Sequence, residues 1–214
     1  MDLEERLAVF IDYENLALGA REHLGGMSFD FGPIADALAV RGRVVVRRAY
    51  ADWSVPANAA YRRQLVDRAV DLVQLFPVSG TKNGADIRLS VDAMEDLTRY
   101  GDVTHVVIVG GDSDYIALAQ RCKQLGRFVV GIGVAGSTSR ALIAACDEFS
   151  SYDALPGVPA ATPAEKPAVA TKGKAAAKTS AKAASADTGP EATAEQDLDP
   201  TAEPAQPARK TTRR

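Results

Sequence analysis

Between residues 7 and 152, short apolar runs alternate with segments whose apolar residues return every three or four positions, the pattern of strands and helices taking turns. LAVFID (7–12) is almost continuously apolar, as expected of a central strand covered on both faces. PIADALAVRG carries Pro33 at a helix start and Gly42 as its stop. RVVVRRAYADW (43–53) predicts a second strand. The spacing of Tyr61, Leu65, Ala69 and Leu72 predicts a helix through NAAYRRQLVDRAVDL, and QLFPV (74–78) a third, shorter strand. After the turn SGTKNG, Ile87, Val91, Met94 and Leu97 or Thr98 recur at helical spacing up to Gly101. THVVIV then predicts a fourth strand, DYIALAQRCKQLG a helix ended by Gly126, RFVVGIGV a fifth strand, and STSRALIAACDEF a last helix followed by a short strand at 149–152.

Strands separated by helices of about three turns form βαβ units, and right-handed crossovers then give a parallel sheet. The expected fold class is α/β: a Rossmann-like, mostly parallel sheet with helices on both faces. Such folds bind ligands at the carboxyl ends of the strands, where the strand order reverses. Function is therefore sought at the ends of the first and fourth strands.

Composition changes at about Pro156, where Ala, Pro, Thr and Lys replace the large apolar residues. A segment with so little to bury cannot offset its ordering entropy, so residues 156–214 are expected to form a disordered tail behind a folded domain at 1–155. The domain holds 16 Lys/Arg against 21 Asp/Glu (net −5) and the tail 9 against 7 (net +2). The tail's positive charges cluster between Lys166 and Lys182 and in the closing RKTTRR, a composition that can hold nucleic acid non-specifically through counterion release or simply keep the chain in solution. Cys122 and Cys146 are the only cysteines and have neither disulfide-framework nor metal-site spacing, which fits a reducing, cytoplasmic setting. The opening MDLEERLAVF lacks a basic region followed by a long apolar stretch, and no apolar run approaches ~18 residues, so neither secretion nor membrane spanning is expected.

The candidate chemistry lies in carboxylates. Asp12 ends the first strand, Asp112 and Asp114 follow the fourth within GGDSDY, and Asp86 opens the helix after SGTKNG. Neighbouring first and fourth strands would gather three of them, and Asp86, on a helix that follows another strand, is placed to project into the same crevice. Like charges ~4 Å apart repel by on the order of 4 kcal/mol even at an effective dielectric near 20, and an all-oxygen set without cysteine suits a hard divalent cation, Mg²⁺ or Mn²⁺, better than zinc. The plainer reading is helix capping, which Asp112 and Asp114 can perform, and which Asp12 can perform only if Tyr13 starts a helix. Asn15 can orient a water or a phosphate, and Asp92 falls on another helix face. Ser137, Thr138 and Ser139 are candidate caps of the last helix, with Ser137 and Ser139 also placed to meet a phosphate.

Other chemistries fit less well. A phosphotransferase of the haloacid dehalogenase type needs a second Asp where Glu14 stands. GIGVAG lacks the order of a dinucleotide fingerprint, no GxxxxGK[ST] is present, and His23 and His105 are the only histidines for a triad.

FIDYENL (10–16), KNGADIRLSVDAMED (82–96), VIVGGDSDYIAL (107–118) and VVGIGVAGSTSRALIAACDEF (129–149) resemble the successive motifs of the NYN domain, in the LabA/DUF88-like branch of the PIN-like nuclease superfamily. That resemblance implies a PIN-like fold whose clustered acids bind Mg²⁺ and whose substrate is usually RNA. It places the acidic pattern on Asp12, Asp86, Asp112 and Asp114 and the accessory polar position on Asn15. The implied activity is hydrolysis of phosphodiester bonds by a Mg²⁺-dependent ribonuclease, an endonuclease in RNA processing or turnover, with DNA not excluded as substrate. Lys82, in the turn before Asp86, is the preferred contact to a flanking phosphate, with Arg47, Arg48, Arg62, Arg63 and Arg88 as further candidates. A catalytically inactive RNA-binding or regulatory protein on the same fold would use the same acids.

Overall fold

The structure is a computed structural model that describes residues 4–76 and 84–159. Its strands are β1 (Arg6–Asp12), β2 (Arg43–Ala51), β3 (Asp71–Gln74), β4 (His105–Val109), β5 (Phe128–Gly133) and β6 (Glu148–Ser151). The helices are α1 (Tyr13–His23), α2 (Gly32–Arg41), α3 (Pro56–Ala59), α4 (Arg62–Val66), α5 (Gly84–Arg99), α6 (Ile116–Gln124) and α7 (Arg140–Ala145). The strands form one sheet in the order β3-β2-β1-β4-β5-β6, and all five pairings are parallel. From β1 the chain winds outward through β2 to β3, then returns to lay β4 against the other side of β1. The switch point is the gap between the ends of β1 and β4, as the α/β reading requires.

Strand parity decides what faces where. Leu7, Val9 and Ile11 join one core layer with α1 and α2, whereas Ala8 and Phe10 join the opposite layer with α5, α6 and α7. Asp12 shares the parity of Phe10. Its side chain therefore leaves the sheet on the α5 and α6 side.

Several elements differ from the sequence expectation. The helix expected through residues 58–72 is two short helices, α3 and α4, and the chain leaves α4 through Ala69 at φ 54°, which no helix continues. The third strand lies earlier than QLFPV, because Asp71–Gln74 pair with Arg48–Ala51 of β2 and open edge pairing overrides the local helical spacing. Residues 77 and 78 of the expected strand lie outside the described residues, as do Lys82 and the tail from 160. Helix α1 is not among the expected elements, and Asp12 caps it. The last helix spans only six residues, and no side-chain bond from Ser139 caps it.

Helix α5 turns a different face to the sheet than its apolar spacing suggests. Ile87 and Val91 are 60% and 58% exposed, while Leu89, Asp92, Ala93, Asp96 and Leu97 are buried. The reason is Arg48 on β2. Its guanidinium lies 2.9 Å from Asp96 and 3.5 Å from Asp92, and Asp92 also accepts from Tyr50 at 3.2 Å and pairs with Arg88 at 2.9 Å. Arg48 thus anchors α5 to the sheet, Arg88 pairs with Asp92 within the helix, and the exposed Arg63 pairs with Asp67 at 3.7 Å, so none of the three stands free for phosphates. Removing one partner of a buried ion pair leaves an uncompensated charge. Arg48→Ala is expected to lose roughly 3–5 kcal/mol of unfolding free energy in urea, against about 0.5 kcal/mol or less for Arg63→Ala; equal effects would contradict the anchoring role.

Candidate metal centre

At the switch point three chain segments deliver acids to one place. β1 ends on Asp12, α5 begins with Asp86 in its first turn, and the loop after β4 carries Asp112 and Asp114. One carboxylate oxygen from each of Asp86, Asp112 and Asp114 lies within 4.8 Å of the others. Asp12 stands behind this group, 5% exposed. Its Oδ1 accepts the Asn15 N–H at 3.1 Å, which caps α1, and its Oδ2 accepts the Tyr115 hydroxyl at 2.8 Å. The four expected acids are therefore three that converge and one deeper carboxylate that supports them. Capping and clustering are not alternatives here. Asp12 caps α1, and Asp112 Oδ1 accepts Asp114 N–H at 3.1 Å to cap a single 3₁₀ turn.

Tyr115 is a site residue that sequence reasoning missed, although it closes the GGDSDY stretch. Its hydroxyl bonds Asp12 and is also within hydrogen-bonding reach of Asp86. A phenol carries one proton, so it can fully satisfy only one of two ionised carboxylates. The Asp12 carboxyl is pushed up to about 6, by burial first and, to a lesser degree, by the charges of Asp86 and Glu14, against the bonds from Tyr115 and Asn15 that hold it down. Asp86 is also raised, by burial first and then by the charges of Asp112 and Asp114, against the opposing bond from Tyr115.

Gly110 and Gly111 lie where the chain is closely packed. Neither is among the glycines with positive φ, so the sharp turn that two glycines suggest is not what they supply. A Cβ on Gly110 would lie 3.3 Å from Asp12 Cβ and from the Tyr115 ring, and one on Gly111 would lie 3.1 Å from Thr138 Cα. Asn15 Oδ1 accepts the Gly111 N–H at 2.9 Å, so the side chain expected to orient a water or phosphate also holds the acid loop. Ser139 N–H donates to Gly111 O at 2.9 Å, which sets the Ser137–Ser139 turn against the same loop. The hydroxyls of Ser137 and Thr138 donate back to Val134 O, at 3.3 and 2.9 Å, and do not cap α7.

The donor set is all oxygen. Cys122 and Cys146 are buried and free, with their thiols pushed up by burial to about 11, and His105 sits at the opposite end of β4. Three carboxylates with no thiolate or imidazole fit a hard divalent cation such as Mg²⁺ or Mn²⁺.

The NYN domain family model matches residues 6–153. The crystal structure of VPA0982, a protein of unknown function from Vibrio parahaemolyticus RIMD 2210633, is similar over 72% of this chain and 96% of that one, with a TM-score of 0.63 and 26% identity. A comparison with curated proteins returned no match. No helix among the described residues is long and apolar enough to cross a membrane.

The raised Asp12 carboxyl has a stability consequence in the metal-free protein. Its folded value of about 6 exceeds its reference value of 3.8, so the unfolded chain binds fewer protons between them and stability falls as pH rises through that window. At neutral pH the ionised group is expected to destabilise the fold by up to about 3 kcal/mol. Asp12→Asn should therefore raise the urea midpoint at pH 7.5 in EDTA, with the gain vanishing near pH 4. A midpoint at pH 7.5 equal to or below that of the original protein would show that this carboxylate is not strained.

Proposed function

Because the chain belongs to the NYN domain family, a family of PIN-like nucleases, we propose that it is a metal-dependent nuclease hydrolysing phosphodiester bonds, with RNA as substrate and cleavage at internal positions. The observation that carries this reading is the convergence of Asp86, Asp112 and Asp114, whose carboxylates repel one another. Each pair of ionised carboxylates at ~4–5 Å repels by on the order of 3 kcal/mol at an effective dielectric near 20, less where solvent screens Asp114. Residues that serve only as caps need no such convergence.

In this reading Asp86, Asp112 and Asp114 would hold Mg²⁺ or Mn²⁺, with Asp12 behind them. When bound, the cation would supply Lewis-acid activation of water and phosphate and neutralise the charge of the leaving oxygen. The chain's own residues prepare the place. Asn15 and the Ser139 N–H hold the Gly111 loop, Tyr115 fixes Asp12, and the two glycines let these groups close on one another. Ser139 borders the loop and is the candidate for a phosphate oxygen. The Ser137 hydroxyl is engaged at Val134 and would have to turn to join it. Lys82, four residues before Asp86 in the chain, remains the candidate contact to a flanking phosphate. Lysine clusters beyond residue 160 would add attraction to phosphate without sequence preference.

The test is cleavage of labelled single-stranded RNA and of the same sequence as DNA by the full chain in Mg²⁺. Cleavage of RNA should stop in EDTA and fall by more than ~100-fold in Asp112→Asn, while Tyr115→Phe, which removes a supporting bond, should fall by about 10- to 100-fold. Equal cleavage by the original protein and Asp112→Asn would place the activity outside this site. Metal binding without cleavage of either substrate would leave an RNA-binding protein on a nuclease fold.

A further inference from the structure

On the other flank of α1 from the acid loop lies an open groove of about 610 Å³. The first turns of α1 separate the two features. Asn15 turns to Gly111, whereas Glu14, Leu18 and Arg21 line the groove, because positions 14, 18 and 21 share a helix side and 15 lies roughly 100° away. The segment after β2 supplies the facing wall with Val55, Asn58 and Tyr61. Tyr13, directly after Asp12, also lines the groove and packs its ring 5.4 Å from that of Tyr61.

We infer that this groove is a nucleobase subsite, taking one unstacked base of a single-stranded substrate whose adjoining backbone reaches the acid cluster. The inference rests on the nuclease reading for the position of that backbone, and it names the substrate class: a strand with a base free to leave its stack. The walls suit a flat ring. Tyr61 is partly exposed, Met27 adds a polarisable thioether, and Leu18 and Val55 remain 45% and 41% exposed. Polar groups suit a ring edge. The Ser28 hydroxyl, 2.7 Å from that of Tyr61, lines the groove, whereas the Tyr13 hydroxyl is fully buried and not open to a ligand. Asn58 commits Nδ2 to Glu14 and to Asp52 O, which leaves its carbonyl oxygen as an acceptor.

Charge completes the match. Arg21 is exposed and makes no ion pair among the described residues, so a cation stands at the groove of a domain whose net charge is −5. The nearby Glu14 is held by the Asp52 N–H at 2.8 Å and by Asn58 at 2.9 Å. A duplex keeps its bases paired and stacked, so filling this groove from a duplex requires a base to be flipped out, whereas a single strand offers one at little cost.

Fluorescence anisotropy with a labelled single-stranded RNA and its duplex tests this in the full chain, in EDTA and with Ca²⁺ in place of Mg²⁺. Leu18→Glu, which puts a like charge at an exposed wall position, and Tyr61→Ala should each weaken single-strand binding by about five- to a hundredfold, the range of a lost base–aromatic contact. Tyr61→Phe should keep the affinity, and duplex should bind more weakly than single strand and respond to neither substitution. Leu18→Glu with an unchanged melting temperature and unchanged single-strand affinity would overturn the subsite, as would equal loss on duplex and single strand. The two readings fail separately. Groove-dependent binding without cleavage keeps the subsite and removes the nuclease, whereas cleavage with Kd and KM unmoved by Leu18→Glu and Tyr61→Ala keeps the nuclease and removes the subsite.

Discussion

Mutual repulsion among Asp86, Asp112 and Asp114 is the constraint around which the carboxyl edge of this sheet is arranged. Groups that repel move apart unless the chain around them is held, and here two separately fixed segments carry the three acids. Asp86 is carried by α5, which Arg48 ties to β2 through Asp92 and Asp96. Asp112 and Asp114 belong to a loop clamped from below by Asn15 and from the side by Ser139. The buried acids of α5 and the partly exposed acids of the site are therefore parts of one arrangement. One set pays for the orientation of the helix whose first turn presents the other.

Sheet topology and strand parity supply the rest. Returning from β3 to lay β4 beside β1 places two strand ends together, and the parity of Asp12 aims its carboxyl at the layer that contains Tyr115 and the start of α5. Had β1 ended one residue earlier or later, the acid would face α1 and α2 instead. The close approach that results means a side chain at Gly110 or Gly111 would push its neighbours aside by a few tenths of an ångström.

The alternation of elements, the parallel sheet and the acids at strand ends were legible in the sequence because continuous apolar runs and Gly-Asp punctuation are local signals. What was not legible depends on partners distant in the chain. Nothing local shows that Asp92 and Asp96 face inward, since that follows from Arg48 more than forty residues earlier, and the apolar spacing of Ile87 and Val91 points to the wrong face. β3 is a strand because β2 offers it an edge. Tyr115 reads as an ordinary helix-start aromatic until Asp12 is found 2.8 Å from its hydroxyl. The glycines of GGDSDY were visible, but their reason was not: Gly110 packs against Asp12 and Tyr115 and Gly111 against Asn15 and Thr138, rather than either answering to a backbone dihedral. In the acid cluster the sequence named the members, and the structure sorted them into three that converge and one that supports.

The most direct measurement is anomalous diffraction from crystals of the full chain soaked in Mn²⁺. The account predicts a metal peak surrounded by oxygens of Asp86, Asp112 and Asp114, with Tyr115 still bonded to Asp12 behind it. No peak at that place, or three carboxylates turned away from one another toward separate basic partners, would contradict it.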